Sequence, residues 1–279
     1  MLVYLNGRFI NEAKATVSVN NRSFRYGDGC FETIKVIRGE APLLPLHFDR
    51  LFSALELLQF QLPSFFTPEY VASRLQELVQ KNGHAPLARV RVTVFRGDGG
   101  IYDAINHQPH LLIQSWPLNP ENNRLNENGL VIDFFRDGKK SCDAFANLKS
   151  NNYLLYSMAA LHAKRQHCND ALVLNQFGHV ADATIANVWI AEGNNLVTPP
   201  LAEGPVQGTM RRYLLEQATG KGFQVKEEPI STDRLLAADE VFLTNAIYGL
   251  KWVRQVADRE FRCQLAASVH HTLVAPLWQ

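Results

Sequence analysis

Charge imbalance is missing from this chain: 28 lysines and arginines face 27 aspartates and glutamates across 279 residues, a formal net of +1. A chain so nearly neutral offers no electrostatic case for binding nucleic acid or an anionic membrane. Long apolar runs are missing too, and nothing approaches the ~18 uncharged residues that a spanning helix needs. The opening MLVYLNGRFINEA carries charge early and has no extended apolar core, so it does not read as a signal peptide. Cysteine is scarce and scattered: Cys30, Cys142, Cys168 and Cys263 form no CxxC, and no histidine stands at ligand spacing. No metal is therefore expected, and the thiols read as reduced in a cytoplasmic protein. There is no internal repeat and no low-complexity tract. What is present, 46% hydrophobic and 20% charged residues, is the composition of a folded soluble protein, long enough for one large domain or two ordinary ones.

The periodicities divide the chain in two. LVYLNGRFI sets Asn6-Gly7 between two apolar runs, which signals a hairpin. CFETIKVI reads as a strand broken at Arg38-Gly39-Glu40, and PLHFDRLFSALELLQF as a helix with Leu51, Leu55 and Leu58 on one face. Thr67-Pro68 is a helix start, with Val71, Leu75, Leu78 and Val79 as its buried stripe and Asn82-Gly83 as its stop. ARVRVTVFRG alternates as a half-buried strand does, and HLLIQSW reads as another. The Pro- and Asn-rich PLNPENNRLNEN lacks periodicity and marks the expected linker, residues 116–123. This gives an α+β domain over 1–115 and a mixed α/β domain over 124–279. In the second, GLVIDFFRD, DALVLN, NVWIAE and EVFLTN read as strands, and SNNYLLYSMAALHAKRQ and TMRRYLLEQATGKG as helices.

Four places can carry chemistry. Lys149 follows the apolar AFAN and precedes a helix; an amine that attacks a carbonyl must be neutral, and burial favours that form. Gly204 to Arg211, EGPVQGTMR, is an irregular turn running into a helix, where free N–H groups and the helix dipole can hold phosphate. Arg50 shares a helix face with His47, near the rim of the apolar stripe, and a guanidinium there can grip a phosphate oxygen; His47 reads as structural. Asp182, in GHVADATIANVW, sits in what reads as a short loop before a strand. An amine, an acid and an anion cradle are together what pyridoxal phosphate requires. Singly, each has an ordinary reading as a solvated surface group or a plain loop.

The stretches NNRSFRYGDGCFETIKV, PLHFDRL, NLKSNNYL, GHVADATIANVWIA, GPVQGTMR and ADEVFLTNAIYG occur in one order from about residue 20 to 250. In that set and order the chain resembles the fold-type IV pyridoxal-phosphate enzymes, or class IV aminotransferases, which include branched-chain and D-amino acid aminotransferases and aminodeoxychorismate lyases. The resemblance implies a two-domain fold, α+β then α/β, with the active site in the interdomain cleft, usually of a homodimer. It implies that Lys149 forms the Schiff base and shuttles protons, and that Arg50 binds the phosphate with the amides of Gly208 and Thr209. Asp182 would face the pyridine nitrogen, with one methylene fewer than the family's usual glutamate. Tyr153 and Asn245 would lie near the cofactor. For the small-molecule amino substrate, Arg96 at the end of ARVRVTVFRG stands at a loop mouth where a guanidinium can attract a carboxylate, with Tyr102 and Tyr26 as further substrate contacts. FRGDGGIY, the methionine of GTMR and the Asn-Ala of LTNAIYG resemble the lyases, which release pyruvate and leave 4-aminobenzoate for folate synthesis. An amino acid aminotransferase is the alternative, and a non-catalytic relative is a third reading that the retained lysine opposes.

Overall fold

The computed structural model describes residues 1–103 and 105–279. The chain divides into two compact units: Met1–Pro120 together with Lys149–Tyr153, and Glu121–Leu148 together with Leu154–Gln279.

The first unit holds β1 (Leu2–Leu5), β2 (Arg8–Asn11), α1 (Arg22–Tyr26), β3 (Gly29–Ile37), α2 (Leu44–Leu57), α3 (Pro68–Lys81), β4 (Leu87–Arg96) and β5 (Pro109–Pro117). The strands form one antiparallel sheet in the order β2-β1-β5-β4-β3. Asn6 and Gly7 both take positive φ in the β1–β2 turn, as the sequence led one to expect. Thr67 caps α3 by accepting the Tyr70 N–H, and Pro68 follows in the first turn, where its missing donor costs nothing. Alternation divides the sheet. Val90, Val92 and Val94 of β4 and Ile34 and Val36 of β3 are buried on the face that α2 and α3 cover with Leu51, Leu55, Val71, Leu75, Leu78 and Val79. Each such side chain contributes about 1.5–3 kcal/mol on leaving water. The opposite face carries Phe31, Thr33 and Lys35 from β3 and Arg89, Arg91 and Thr93 from β4, paired residue by residue. A sheet face that spends its positions on cations is built for something other than packing.

The second unit holds β6 (Leu130–Lys140), α4 (Leu154–Arg165), β7 (Asp170–Asn175), β8 (Val180–Ala183), β9 (Asn187–Glu192), β10 (Asn195–Thr198), α5 (Thr209–Gln217), β11 (Gln224–Glu227), α6 (Thr232–Ala237), β12 (Glu240–Asn245), β13 (Gly249–Val256), β14 (Arg259–Glu260) and α7 (Leu265–Val269). Strands β9, β12, β13, β6, β7 and β8 follow one another, and β8 pairs back to β9 through Asp182 and Asn187, which closes the sheet on itself. Ile132, Leu172, Leu174, Val188, Ile190, Val241, Leu243 and Val253 fill its core.

Three local expectations change. Asp182 stands in strand β8, not in a loop, because Val180 and Ala183 pair with β7. The helix expected from Ser150 begins at Leu154. The residues before it run extended beside β3, with Phe31 N–H bonded to the Lys149 carbonyl and Asn151 N–H to the Gly29 carbonyl. Strands β10, β11 and β13 had no forecast; β11 is four mostly exposed residues, too short to show an alternation.

Candidate active site

In the first unit the short extended run fixes Lys149. Its ammonium lies 4.6 Å from the centre of the Phe31 ring and 5.6 Å from that of Tyr153, and the two rings meet edge-on at 5.6 Å. Arg91 stacks on the same phenyl ring at 3.6 Å and donates to the Thr93 hydroxyl. Lys35, one pleat along from Thr33, is buried, and that desolvation pulls its ammonium down to about 7. Gly29 is obligatory where this run meets β3: its φ is +148°, and a Cβ there would lie 2.4 Å from the Val94 carbonyl.

Arg50 is held by a partner that sequence reasoning missed. Glu32 of β3 takes the Arg50 Nε at 2.7 Å and a second guanidinium nitrogen on its other oxygen, a bidentate pair. His47 donates Nδ1–H to the same carboxylate at 2.6 Å, and its Nε2 is buried without a hydrogen-bond partner. Burial alone would raise Glu32, but Arg50 and then His47 outweigh it and hold the carboxyl at about 2. Burial, the largest influence, lowers His47, so the imidazole is neutral at pH 7. The missed signal is the glutamate itself, a charge on the face of CFETIKVI that otherwise carries Cys30, Ile34 and Val36.

In the second unit Asp182, only 2% exposed, is surrounded by donors. Its Oδ2 accepts from the Tyr156 hydroxyl at 2.8 Å, the Val206 N–H at 2.8 Å and the Lys140 ammonium at 3.2 Å. Its Oδ1 accepts from Asn187 Nδ2 at 2.9 Å. Asn187 also donates to the Val206 carbonyl, and Asn147 donates to the Leu201 and Pro205 carbonyls. The acid and the loop ahead of α5 are thus one bonded assembly. Gly204 turns that loop at φ +84°, and a Cβ on Gly208 would strike the Asn187 side-chain oxygen at 1.7 Å. Gly208 caps α5 without a side-chain bond, which leaves the first-turn amides, that of Thr209 among them, to an outside acceptor. Lys140, Tyr156 and Asn187 were not forecast.

The other forecast residues have contacts of their own. Arg96 is buried and committed: its Nε bonds Asp28, its terminal nitrogens bond His107 and the carbonyls of Leu58 and Gln59, and its plane covers Phe60. These bonds use four of the guanidinium's five donors, so a substrate carboxylate could not be gripped by two N–H groups without displacing one of them. Tyr102 is 91% exposed within the first unit, and Arg22 pins its carbonyl together with those of Gly99, Ile101 and Asp103. Tyr26 lies under the Arg22 guanidinium at 5.2 Å. Asn245 accepts the N–H groups of Ile247 and Tyr248 and donates to Ile185, which shapes the β12–β13 turn.

Residues 29–256 match the amino-transferase class IV family. The chain belongs to that family. The class IV proteins are pyridoxal-phosphate-dependent enzymes of fold type IV, and this chain is one of those enzymes. It is 32% identical over 256 residues to an aminodeoxychorismate lyase of Bacillus subtilis, an alignment covering 88% of this chain and 83% of the lyase. It is 31% identical over 247 residues to a putative branched-chain-amino-acid aminotransferase of Methanocaldococcus jannaschii, covering 88% and 84%. The crystal structure of 4-amino-4-deoxychorismate lyase from Pseudomonas aeruginosa superposes with a TM-score of 0.86 at 26% identity, covering the whole of both chains. The class IV cofactor suits the residues present. A start of α5 with no capping side chain offers donors to a phosphate, and among the described residues the carboxylate oxygen Oδ1 of Asp182 has one donor, so it can accept another.

Proposed function

We propose that this class IV enzyme is a 4-amino-4-deoxychorismate lyase, releasing pyruvate and 4-aminobenzoate. The observation that carries the reading is the pair of cations against one ring, Lys149 and Arg91 on Phe31, on a sheet face that also bears Lys35 and Arg89. The substrate has two carboxylates as well as its amine. A chain of net charge +1 that concentrates cations on one face concentrates them for anions. Arg91 takes over the carboxylate role first assigned to Arg96, whose donors are committed elsewhere; Tyr26 and Tyr102 keep a proposed place at the substrate.

Pyridoxal phosphate, when bound, supplies an aldehyde for an amine and a cationic ring that withdraws electrons from the substrate's α-carbon. Lys149 Nζ holds the cofactor covalently and then moves the proton at that carbon. Arg50 neutralises phosphate charge; Glu32 fixes its plane, and His47 fixes Glu32. The Thr209 amide contributes a helix-start donor, whereas the Gly208 N–H, expected beside it, is bonded to the Val206 carbonyl at 2.7 Å. Asp182 Oδ1 keeps the ring nitrogen protonated. Tyr153, edge-on to Phe31, walls the site, and Asn245 shapes the turn near it. Four unpaired cysteines support a reducing, cytoplasmic setting. Exposed Phe24, Ile101, Tyr102 and Ile105 support a homodimer.

A second reading, an amino acid aminotransferase, is favoured by the 31% identity to the Methanocaldococcus protein. Incubation with aminodeoxychorismate, and separately with amino acids and 2-oxoglutarate, separates the two. Pyruvate with 4-aminobenzoate supports the lyase; glutamate formation without 4-aminobenzoate overturns it.

A further inference from the structure

We propose that Lys140 is a positioning residue that weakens the hold of Asp182 on the cofactor's ring nitrogen, so that this enzyme runs with a deliberately moderated electron sink. This rests on the proposed place of Asp182 beside that nitrogen.

Lys140 ends β6, and Asp182 stands in β8, with β7 between them. Their side chains are 8% and 3% exposed and lie 3.2 Å apart. The Tyr156 hydroxyl joins them, accepting from the Lys140 ammonium and donating to Asp182 Oδ2. With the Val206 amide that makes three donors on one oxygen, which fills it. The other oxygen has Asn187 alone. The division has two consequences. A ring N–H can be accepted only at Oδ1. It then shares its carboxylate with an ammonium already in place, so two cations divide one negative charge in a site with little water to screen them. The ring proton is held less tightly than an acid without the lysine would hold it. The titratable groups set against the carboxylate within the second unit are Lys140 from β6 and Tyr156 from α4; β9 presents the neutral Asn187, and the loop before α5 presents a backbone amide. Cys142 is close enough to Lys140 to feel its charge, but burial raises that thiol, so it adds no negative charge at neutral pH.

The test is the protonation state of the ring nitrogen, read by ¹⁵N NMR on enzyme loaded with ¹⁵N-labelled pyridoxal phosphate across a pH series. Lys140→Gln keeps a donor and removes the charge, and Lys140→Met removes both, so the test survives the failure of either variant to fold. Both are expected to keep the ring protonated about one pH unit or more higher than the parent does. Lys140→Arg is expected to titrate as the parent, and Asp182→Asn to lose ring protonation across the series. If Asp182→Asn loses the proton while the charge-removing variants titrate as the parent, Lys140 serves only the fold and the proposal falls. If Asp182→Asn itself titrates as the parent, the acid is not at the ring, and the proposal falls together with the reading beneath it.

Discussion

Each unit buries one carboxylate against one cation, and the two pairs are built in opposite senses. In the first, both oxygens of Glu32 are consumed by Arg50, and one of them by His47 as well. One guanidinium fork spans the acid, and that cation is the member assigned to a ligand. In the second, Lys140, Tyr156 and Val206 crowd one oxygen of Asp182 and leave the other with a single donor. There the acid is the open member and the cation is closed in. Burying an ion pair is weak evidence for stability, because desolvation takes back most of the attraction. The placement of the cation is more informative: Arg50 spans both oxygens of Glu32, whereas Lys140 is confined to one oxygen of Asp182.

The sharpest way to break the comparison is to remove the group that belongs to neither pair. Lys149→Ala is expected to lower turnover by 10³-fold or more, since it removes the amine assigned to the cofactor, while thermal unfolding of the cofactor-free protein stays nearly unchanged. Activity within tenfold of the parent would contradict the role.

Next in size is Glu32→Gln, which strands Arg50 and is expected to cost about 3–5 kcal/mol in denaturant unfolding. Glu32 is held at about 2, below its ordinary 4.5. A carboxyl lowered on folding contributes stability that is complete above its unfolded value and disappears as pH falls through the folded one. Parent stability from this pair is therefore flat from pH 5 to 9 and declines only from about pH 4.5 toward pH 2. The variant should lack that acid limb; an acid limb of parental size in Glu32→Gln would rule the pair out as its source.

Asn187→Ala follows, with a loss of about 1–3 kcal/mol from the unmet Asp182 and Val206 acceptors and a weaker affinity for pyridoxal phosphate by fluorescence titration. Its effect should exceed that of Asn245→Ala on cofactor affinity, because Asn187 ties the acid to the α5 loop whereas Asn245 braces a turn. Equal effects would blur the assignment.

Smallest is Lys35→Met. Burial lowers this lysine from 10.5 to about 7. Between those values the unfolded chain binds more protons, so stability rises with pH, and the penalty for the charge is complete below about 7. The variant should therefore gain stability at pH 6, of the order of 1 kcal/mol once residual solvation is allowed for, and gain less at pH 9. A larger gain at pH 9 would reverse the sign and exclude the desolvation account.

The sequence was legible where one periodicity governed. The β1–β2 turn, the α3 cap and the β4 alternation could be read because Asn6-Gly7, Thr67-Pro68 and ARVRVTVF each have a single physical meaning. The proposed cofactor residues Lys149, Arg50 and Asp182 became legible only as an ordered set, since each alone resembles a solvated side chain. Their holders, Glu32, Lys140 and Asn187, were invisible for a definite reason. Each meets its partner across strands or through a helix at separations of five to 42 residues, and no local spacing encodes that. Arg96 misled because its strand-end position resembles a loop mouth, whereas Asp28 and the carbonyls of Leu58 and Gln59 come to it from elsewhere in the unit. Residues 150–153 read as the start of a helix because only the extended pairing beside β3 distinguishes them.

The account depends on which amine carries the cofactor, and Lys35, lowered to about 7, is a rival that chemistry alone does not exclude. Borohydride reduction of the enzyme loaded with pyridoxal phosphate, followed by peptide mass spectrometry, decides it. The account predicts one modified peptide, carrying its label on Lys149; a label on Lys35 or Lys140, with Lys149 unmodified, would contradict it.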